Sequence, residues 1–359
     1  MRRFFYVLIW AAGFTACGSD EYDKAHDLYS GSRTNVPSEQ QGYSEPLSQA
    51  TVLLEAFLSH NHEDPAAMLL LWRCYLRTGN PRVVAMHESM IRNAEKMRKV
   101  LPDEIAEEDD AYMRERMVDL FGELATTAEV EDLIVILQDD SHPAVQEAAA
   151  HILARLQDDR AVEPLLDKLK APEENIRAFA CRALAAFPQP LVINKLFEVL
   201  VNTDEAEEVR ANAGFSLADI AALRGDLKNA ITEKLQVFLA TPGAPLTTQI
   251  LAAMVLAKLG SSSGYQLAVA QANSDNVFVR GTAITVLGHI GSEEAVPLIA
   301  TASAHENAKL RLLTAEAFGN LGDAKGLPSL YQAMNDPVES VRQAAQKAIE
   351  KIRRRTSPR

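Results

Sequence analysis

The chain has 359 residues, 49 of them Asp or Glu against 36 Lys and Arg, for a formal net charge of −13 at pH 7. An acidic body argues against nucleic acid as a partner, because binding phosphate needs a basic stripe. The sequence holds no glycine-rich phosphate loop, no metal-type cysteine spacing and no His-Glu-x-x-His, so it points to no cofactor, no metal and no catalytic residue.

Residues 1–16 read as a processing signal. Arg2 and Arg3 form a positive start, and Phe4–Phe14 is an apolar run of 11 residues, shorter than the roughly 20 that span a bilayer. The run ends in Phe14-Thr15-Ala16-Cys17, which resembles the lipobox of bacterial lipoproteins, with Phe in place of the usual Leu. The resemblance implies lipidation at Cys17, and several acyl chains at about 0.8 kcal/mol per buried methylene would anchor the chain to a membrane. Gly18 after the cysteine implies, by the same resemblance, the outer membrane and a periplasm-facing body. An ordinary secretion signal is the rival. Residues 17–43 are polar and aperiodic and predict a flexible tether holding the body roughly 25–30 Å away.

Residues 44–111 are helical in a register of their own. Pro65–Thr78 and Pro81–Lys99 predict two helices joined at Gly79-Asn80. Leu71-Trp72-x-x-Tyr75-x-x-x-Gly79 resembles half of a tetratricopeptide repeat, which implies a capping hairpin, with peptide binding as the lesser option. The acidic run at 100–110 predicts a solvated loop.

Residues 112–353 repeat. In Val279-Arg280-Gly281-Thr282-Ala283-Ile284-Thr285-Val286-Leu287-Gly288-His289-Ile290-Gly291, the apolar residues fall at offsets 0, 4, 7, 8 and 11, one face of a helix that Gly291 ends. The same offsets recur from Met113, Val145, Ile176, Val209, Thr248, Leu310 and Val341, at intervals of 31 to 33 residues except one of 39. A fixed period of this size marks a solenoid. Offset 4 is mostly alanine, and offset 8 holds Phe121, Leu153, Leu184, Leu217, Leu256, Leu287, Phe318 and Ile349. Second helices fit between anchors, over Val130–Gln138, Val162–Lys170, Leu191–Leu200, Leu227–Leu239, Ala295–Ser303 and Leu327–Met334, with Pro164, Pro297 and Pro328 in first turns. The residues added in the long interval fall at 222–226 and 241–245, read as loops. Residues 354–359 form a basic tail, read as a solvated helix end. Cys74 and Cys181 sit on predicted helices among apolar neighbours and predict buried free thiols.

Phrases such as Asn335-Asp336-Pro337-Val338-Glu339-Ser340-Val341-Arg342 and Gly291-Ser292-Glu293-Glu294-Ala295-Val296-Pro297 resemble HEAT repeats of the short phycobilin-lyase type. The resemblance implies an all-α, right-handed α-solenoid of about eight two-helix repeats behind a tetratricopeptide-like hairpin. Three His-Glu pairs, at His62, His87 and His305, do not occupy equivalent repeat positions and so do not match the di-iron hydroxylases of this repeat class.

Two columns attract a role. Arg114, Arg177, Arg210, Arg280, Arg311 and Arg342 stand at offset 1, and Asp140, Asp204 and Asp336 precede their anchors by five; together they predict an Arg–Asp ladder between repeats. Offsets 2, 6 and 9 lie opposite the core, and HEAT repeats line their concave surface with this helix. Phe215, Ile250, Met254 and Leu312 stand there, with His151 and Arg182 as polar members, and they predict a groove for a protein or peptide partner. The expected function is a membrane-anchored, non-catalytic scaffold of the bacterial envelope. The alternatives are a phycobilin-lyase-like or chaperone-like enzyme acting on a bound prosthetic group, and a structural spacer.

Overall fold

A computed structural model describes residues 19–32 and 45–356, and every regular element among them is helical. Residues 1–18, with the processing signal and Cys17, lie outside the described residues, as do 357–359 of the tail. No described helix is long and apolar enough to cross a membrane. The chain divides into two compact units, Met1–Leu156 and Gln157–Arg359.

The first unit opens with α1 (Ser19–Ser32), in the stretch expected to be a flexible tether. Over residues 19–32 the expectation fails, because Ala25 and Tyr29 fall one helical turn apart and both are fully buried, while residues 33–43 lie outside the described residues. They seat α1 on α2 (Glu45–His60), which packs in turn on α3 (Pro65–Thr78). Asp64 caps α3 by accepting from the Ala67 N–H, and Gly79 ends it at φ +64°, a conformation only glycine adopts at little cost. The single helix expected over 81–99 is two, α4 (Val83–Arg92) and α5 (Ala94–Glu107), broken at Asn93. The acidic run is no solvated loop either: it continues α5 to Glu107, and Glu108 is buried. The unit closes with α6 (Ala111–Leu124), α7 (Val130–Asp139) and α8 (Pro143–Leu156), the first repeats.

The second unit contains α9 (Val162–Lys168), α10 (Glu174–Leu184), α11 (Pro190–Val201), α12 (Glu207–Leu223), α13 (Gly225–Leu239), α14 (Leu246–Lys258), α15 (Tyr265–Gln271), α16 (Val277–Ile290), α17 (Ala295–Ala300), α18 (Ala308–Leu321), α19 (Leu327–Ala333) and α20 (Glu339–Thr356). The anchor helices α10, α12, α14, α16, α18 and α20 stack in sequence, and each carries its companion, α9 to α19, on one side. The offset-8 column is buried in every repeat of both units, as is the offset-4 column, where alanine lets helices approach. The predicted loops at 222–226 are corrected: Ala222 and Leu223 extend α12, Gly225 and Asp226 begin α13, and only Arg224 separates them. The basic tail is likewise helix as far as Thr356, because Arg355 donates to the Asn320 carbonyl at 2.9 Å and Arg353 to the Tyr331 hydroxyl at 3.1 Å.

Candidate functional site

The arginine column works, but by a geometry wider than the expected ladder. Arg114 forks its Nε and Nη2 onto Asp140 at 2.7 and 3.0 Å, and its Nη1 takes the Glu108 and Asp109 carbonyls at 2.9 and 2.8 Å. Arg311 repeats this on Asp336, with Nη1 on His305 and Glu306. Each guanidinium therefore ties the turn before its own helix to the turn one repeat on, through four hydrogen bonds that its planar fork can direct at once. Arg177 does the same with Glu205, not the expected Asp204, which is exposed in the same turn. Arg342, on α20, holds the Asp336 and Pro337 carbonyls and meets no carboxylate among the described residues. Arg210 and Arg280 depart from the expectation: no carboxylate reaches either among the described residues. Arg210 donates to the Thr248 and Thr247 hydroxyls at 2.7 and 3.4 Å, and Arg280 to the Thr301 carbonyl at 3.1 Å. The cause is local, since the places held elsewhere by Asp140 and Asp336 are occupied here by Gly243 and His305, neither of which offers a carboxylate.

The expected apolar groove is only partly present. Ile250 and Met254 are core, fully buried and 4 % exposed, because α14 packs against α11, α12, α13, α15 and α16. Phe215 and Leu312 are half-buried, while Arg182 in the second unit and His151 in the first are exposed. Arg182 points its Nη1 at the Asn212 side-chain oxygen, 3.5 Å away.

Offset 9 proves to be a contact between helices and not an open face. A Cβ on Gly288 would stand 2.7 Å from the Ala317 Cα, and one on Gly319 would stand 2.9 Å from the Ala348 Cβ. Offset 10 stands at the surface instead. There the anchor helices from α12 onward carry Asp219, Lys258, His289, Asn320 and Lys351, one per repeat. Lys258 places its Nζ 4.1 Å above the Phe215 ring, and no carboxylate comes within ion-pair distance among the described residues. Burial pushes its pKa down, opposed by the charge of Asp219. Burial also lowers the pKa of His289, and the charges of Lys258 and Lys351 lower it further. Lys351 donates to the Asn320 side-chain oxygen at 2.7 Å. Between α18 and α20 the row borders a groove of about 450 Å³ lined by Leu312, Glu316, Ser340, Gln343, Lys347 and Lys351. The sequence carried a signal for this row, a polar residue at offset 10 of five successive repeats, which a helical wheel centred on offsets 2, 6 and 9 passes over.

In the first unit, Trp72 and Tyr75 are 5 % and 3 % exposed, so they do not form an open tetratricopeptide-type pocket. Tyr75 donates to Glu55 at 2.6 Å. Cys74 and Cys181 are free, buried thiols, and burial pushes both up to about 12. Among the described residues no cluster of His, Cys, Asp and Glu is arranged to hold a metal ion.

Residues 99–168, 130–218 and 296–359 match HEAT repeats, and residues 279–305 match the PBS lyase HEAT-like repeat. No curated protein matches the sequence. Among solved structures, the chain is similar to human deoxyhypusine hydroxylase at 21% identity and a TM-score of 0.36, covering 73% of this chain and 97% of that one. It is similar to the CpcE–CpcF complex of phycocyanin lyase from Nostoc at 18% identity and a TM-score of 0.39, covering 70% and 94%. It also resembles Kap121p at 14% identity and a TM-score of 0.42, covering 95% of this chain and 42% of Kap121p. With two-helix repeats stacked within each unit and over half of its length matched by one repeat family, the chain belongs to the HEAT-repeat proteins.

Proposed function

We propose that the protein is a non-catalytic scaffold, anchored through lipid on Cys17 to a bacterial envelope membrane, that binds a protein or peptide partner on the α12–α20 face of its second unit. The observation that carries the reading is the row of half-exposed side chains there. Phe215, His289 and Leu312 are only half-buried and Lys258 is exposed, and neither Lys258 nor His289 has an opposite charge within ion-pair reach among the described residues. Side chains left in this state are contact-ready, since a partner supplies the burial and charge they lack.

Photo-crosslinking in cells tests it. A benzophenone side chain at Phe215 or Leu312 is expected to capture a discrete partner, whereas one at Val237, exposed on α13, captures none. Equal labelling from both faces would sink the reading. The anchor is tested separately: labelled palmitate is expected in the wild type and absent from Cys17→Ser.

A further inference from the structure

The offset-10 row has a direction and a spacing as well as a charge. Lys258, His289, Asn320 and Lys351 stand on four consecutive anchor helices of the second unit, α14, α16, α18 and α20. Neighbouring packed helices lie about 8–10 Å apart, so the row covers roughly 24–30 Å. A chain in the extended polyproline-II conformation advances about 3.1 Å per residue with about three residues per turn, so every third side chain returns to the same side, one meets each helix, and about nine residues run the row's length.

Charge along the row is set against the rest of the molecule. The whole chain carries −13, yet this face presents Lys258, Lys347 and Lys351, with His289 between them. No carboxylate pairs with any of the three lysines among the described residues. The acidic groups on the same face are Asp219, which ends the row beyond Lys258, and Glu316, which lies in the groove with Lys347 and Lys351. The Lys258 ammonium already sits on the Phe215 ring, so its stem is ordered before a partner arrives.

Resting on the reading of this face as a partner site, we propose that the Lys258–His289–Lys351 row seats an extended acidic peptide segment, with carboxylates at about every third residue. The Phe215 ring backs the Lys258 end, and the groove at Leu312 takes an apolar side chain between carboxylates. Asp219 sets the limit of the acidic stretch, because a carboxylate beside it is repelled.

The test is selection of random twelve-residue peptides, displayed on their own messenger RNA, against the immobilised full chain. Enriched sequences are expected to carry Asp or Glu at three-residue spacing. As labelled peptides they should bind at least fivefold more weakly to Lys258→Gln and to Lys351→Gln. Lys258→Arg should retain binding, and Lys228→Gln, on exposed α13, should leave it unchanged. Circular dichroism of each variant confirms its fold, and raising the salt should weaken binding. Four results overturn the proposal: enrichment of basic or apolar sequences, acidic binders indifferent to Lys258 and Lys351, no enrichment, or a single-stranded twelve-nucleotide DNA that binds as tightly as the peptides. Apolar binders lost in Leu312→Asp would overturn only the acidic segment and leave this face a partner site.

Discussion

Arg311 and Asp336 stand 25 positions apart and meet in a two-pronged fork, Nε to Oδ2 at 2.7 Å and Nη2 to Oδ1 at 2.9 Å, with both side chains largely buried. The same guanidinium holds two carbonyls of its own turn, so one side chain fastens two loops. Lysine cannot make this set of bonds. Arg311→Lys is therefore expected to destabilise the second unit by about 1–3 kcal/mol, read from the denaturant midpoint. Arg342→Lys, which gives up only its two carbonyl bonds, should cost less.

Acid should loosen the same clamp. Hydrogen bonds from Arg311 hold the Asp336 carboxyl below its ordinary value, with further help from the Val338 N–H and the charges of Arg311 and Arg342, against the pull of burial. The folded pKa is then lower than the unfolded one, so protons prefer the unfolded chain. The stabilisation is complete above about pH 4 and is lost as pH falls through the folded pKa. Thermal melts from pH 6 to pH 3 should show a shallower loss for Asp336→Asn than for the wild type.

Gly288 tests how closely α16 and α18 pack. A methyl group there would meet the Ala317 Cα at 2.7 Å and its carbonyl oxygen at 2.8 Å, both backbone, so the helices themselves must shift. Gly288→Ala is expected to destabilise by about 1–3 kcal/mol and to displace the amide resonances of both helices.

Tyr29 latches α1 to the first unit. Its hydroxyl donates to Glu108 at 3.0 Å, and the Arg73 and Arg77 guanidiniums lie 5.1 and 4.9 Å from its ring centre. Arg73 also binds Glu104 at 2.6 Å and Glu108 at 3.2 Å while only 2 % exposed. Tyr29→Phe should cost about 1–2 kcal/mol, as it removes one bond to a charged acceptor that keeps its arginine. Tyr29→Ala should release α1, seen as fast amide exchange confined to residues 19–32.

His289 gives the opposite end of the chain its own pH response. Its pKa is lowered by burial first and then by Lys258 and Lys351. The unfolded chain therefore takes up the proton sooner, and stability falls as pH drops below about 6.5. His289→Gln should remove that slope between pH 7 and pH 5, and the imidazole resonances of the wild type should titrate below the ordinary histidine range.

Much of this is legible in the amino-acid sequence. The period near 31, alanine at offset 4 and leucine or phenylalanine at offset 8 determine two-helix repeats, because only that pattern buries so narrow an apolar stripe at a fixed interval. The clamps were legible at Arg114 and Arg311, where the acid occupies the same place in each turn. They were missed at Arg177, where chain geometry prefers Glu205 to the adjacent Asp204, and at Arg210 and Arg280, where hydroxyl and carbonyl groups take the carboxylate's place.

The sequence by itself determined the fold class, the register of the repeats and the residues that face the core, all of which follow from local periodicity. Tertiary packing decided which side of each anchor helix stays open. Small residues at offset 9 let α16 close on α18 at Gly288 and α18 close on α20 at Gly319, while the helices packed around α14 make Ile250 and Met254 interior. It also turned a polar N-terminal stretch into a helix, because Tyr29 finds a charged pocket assembled from α3 and the end of α5. Both outcomes depend on contacts between residues far apart in the chain, which local periodicity does not encode.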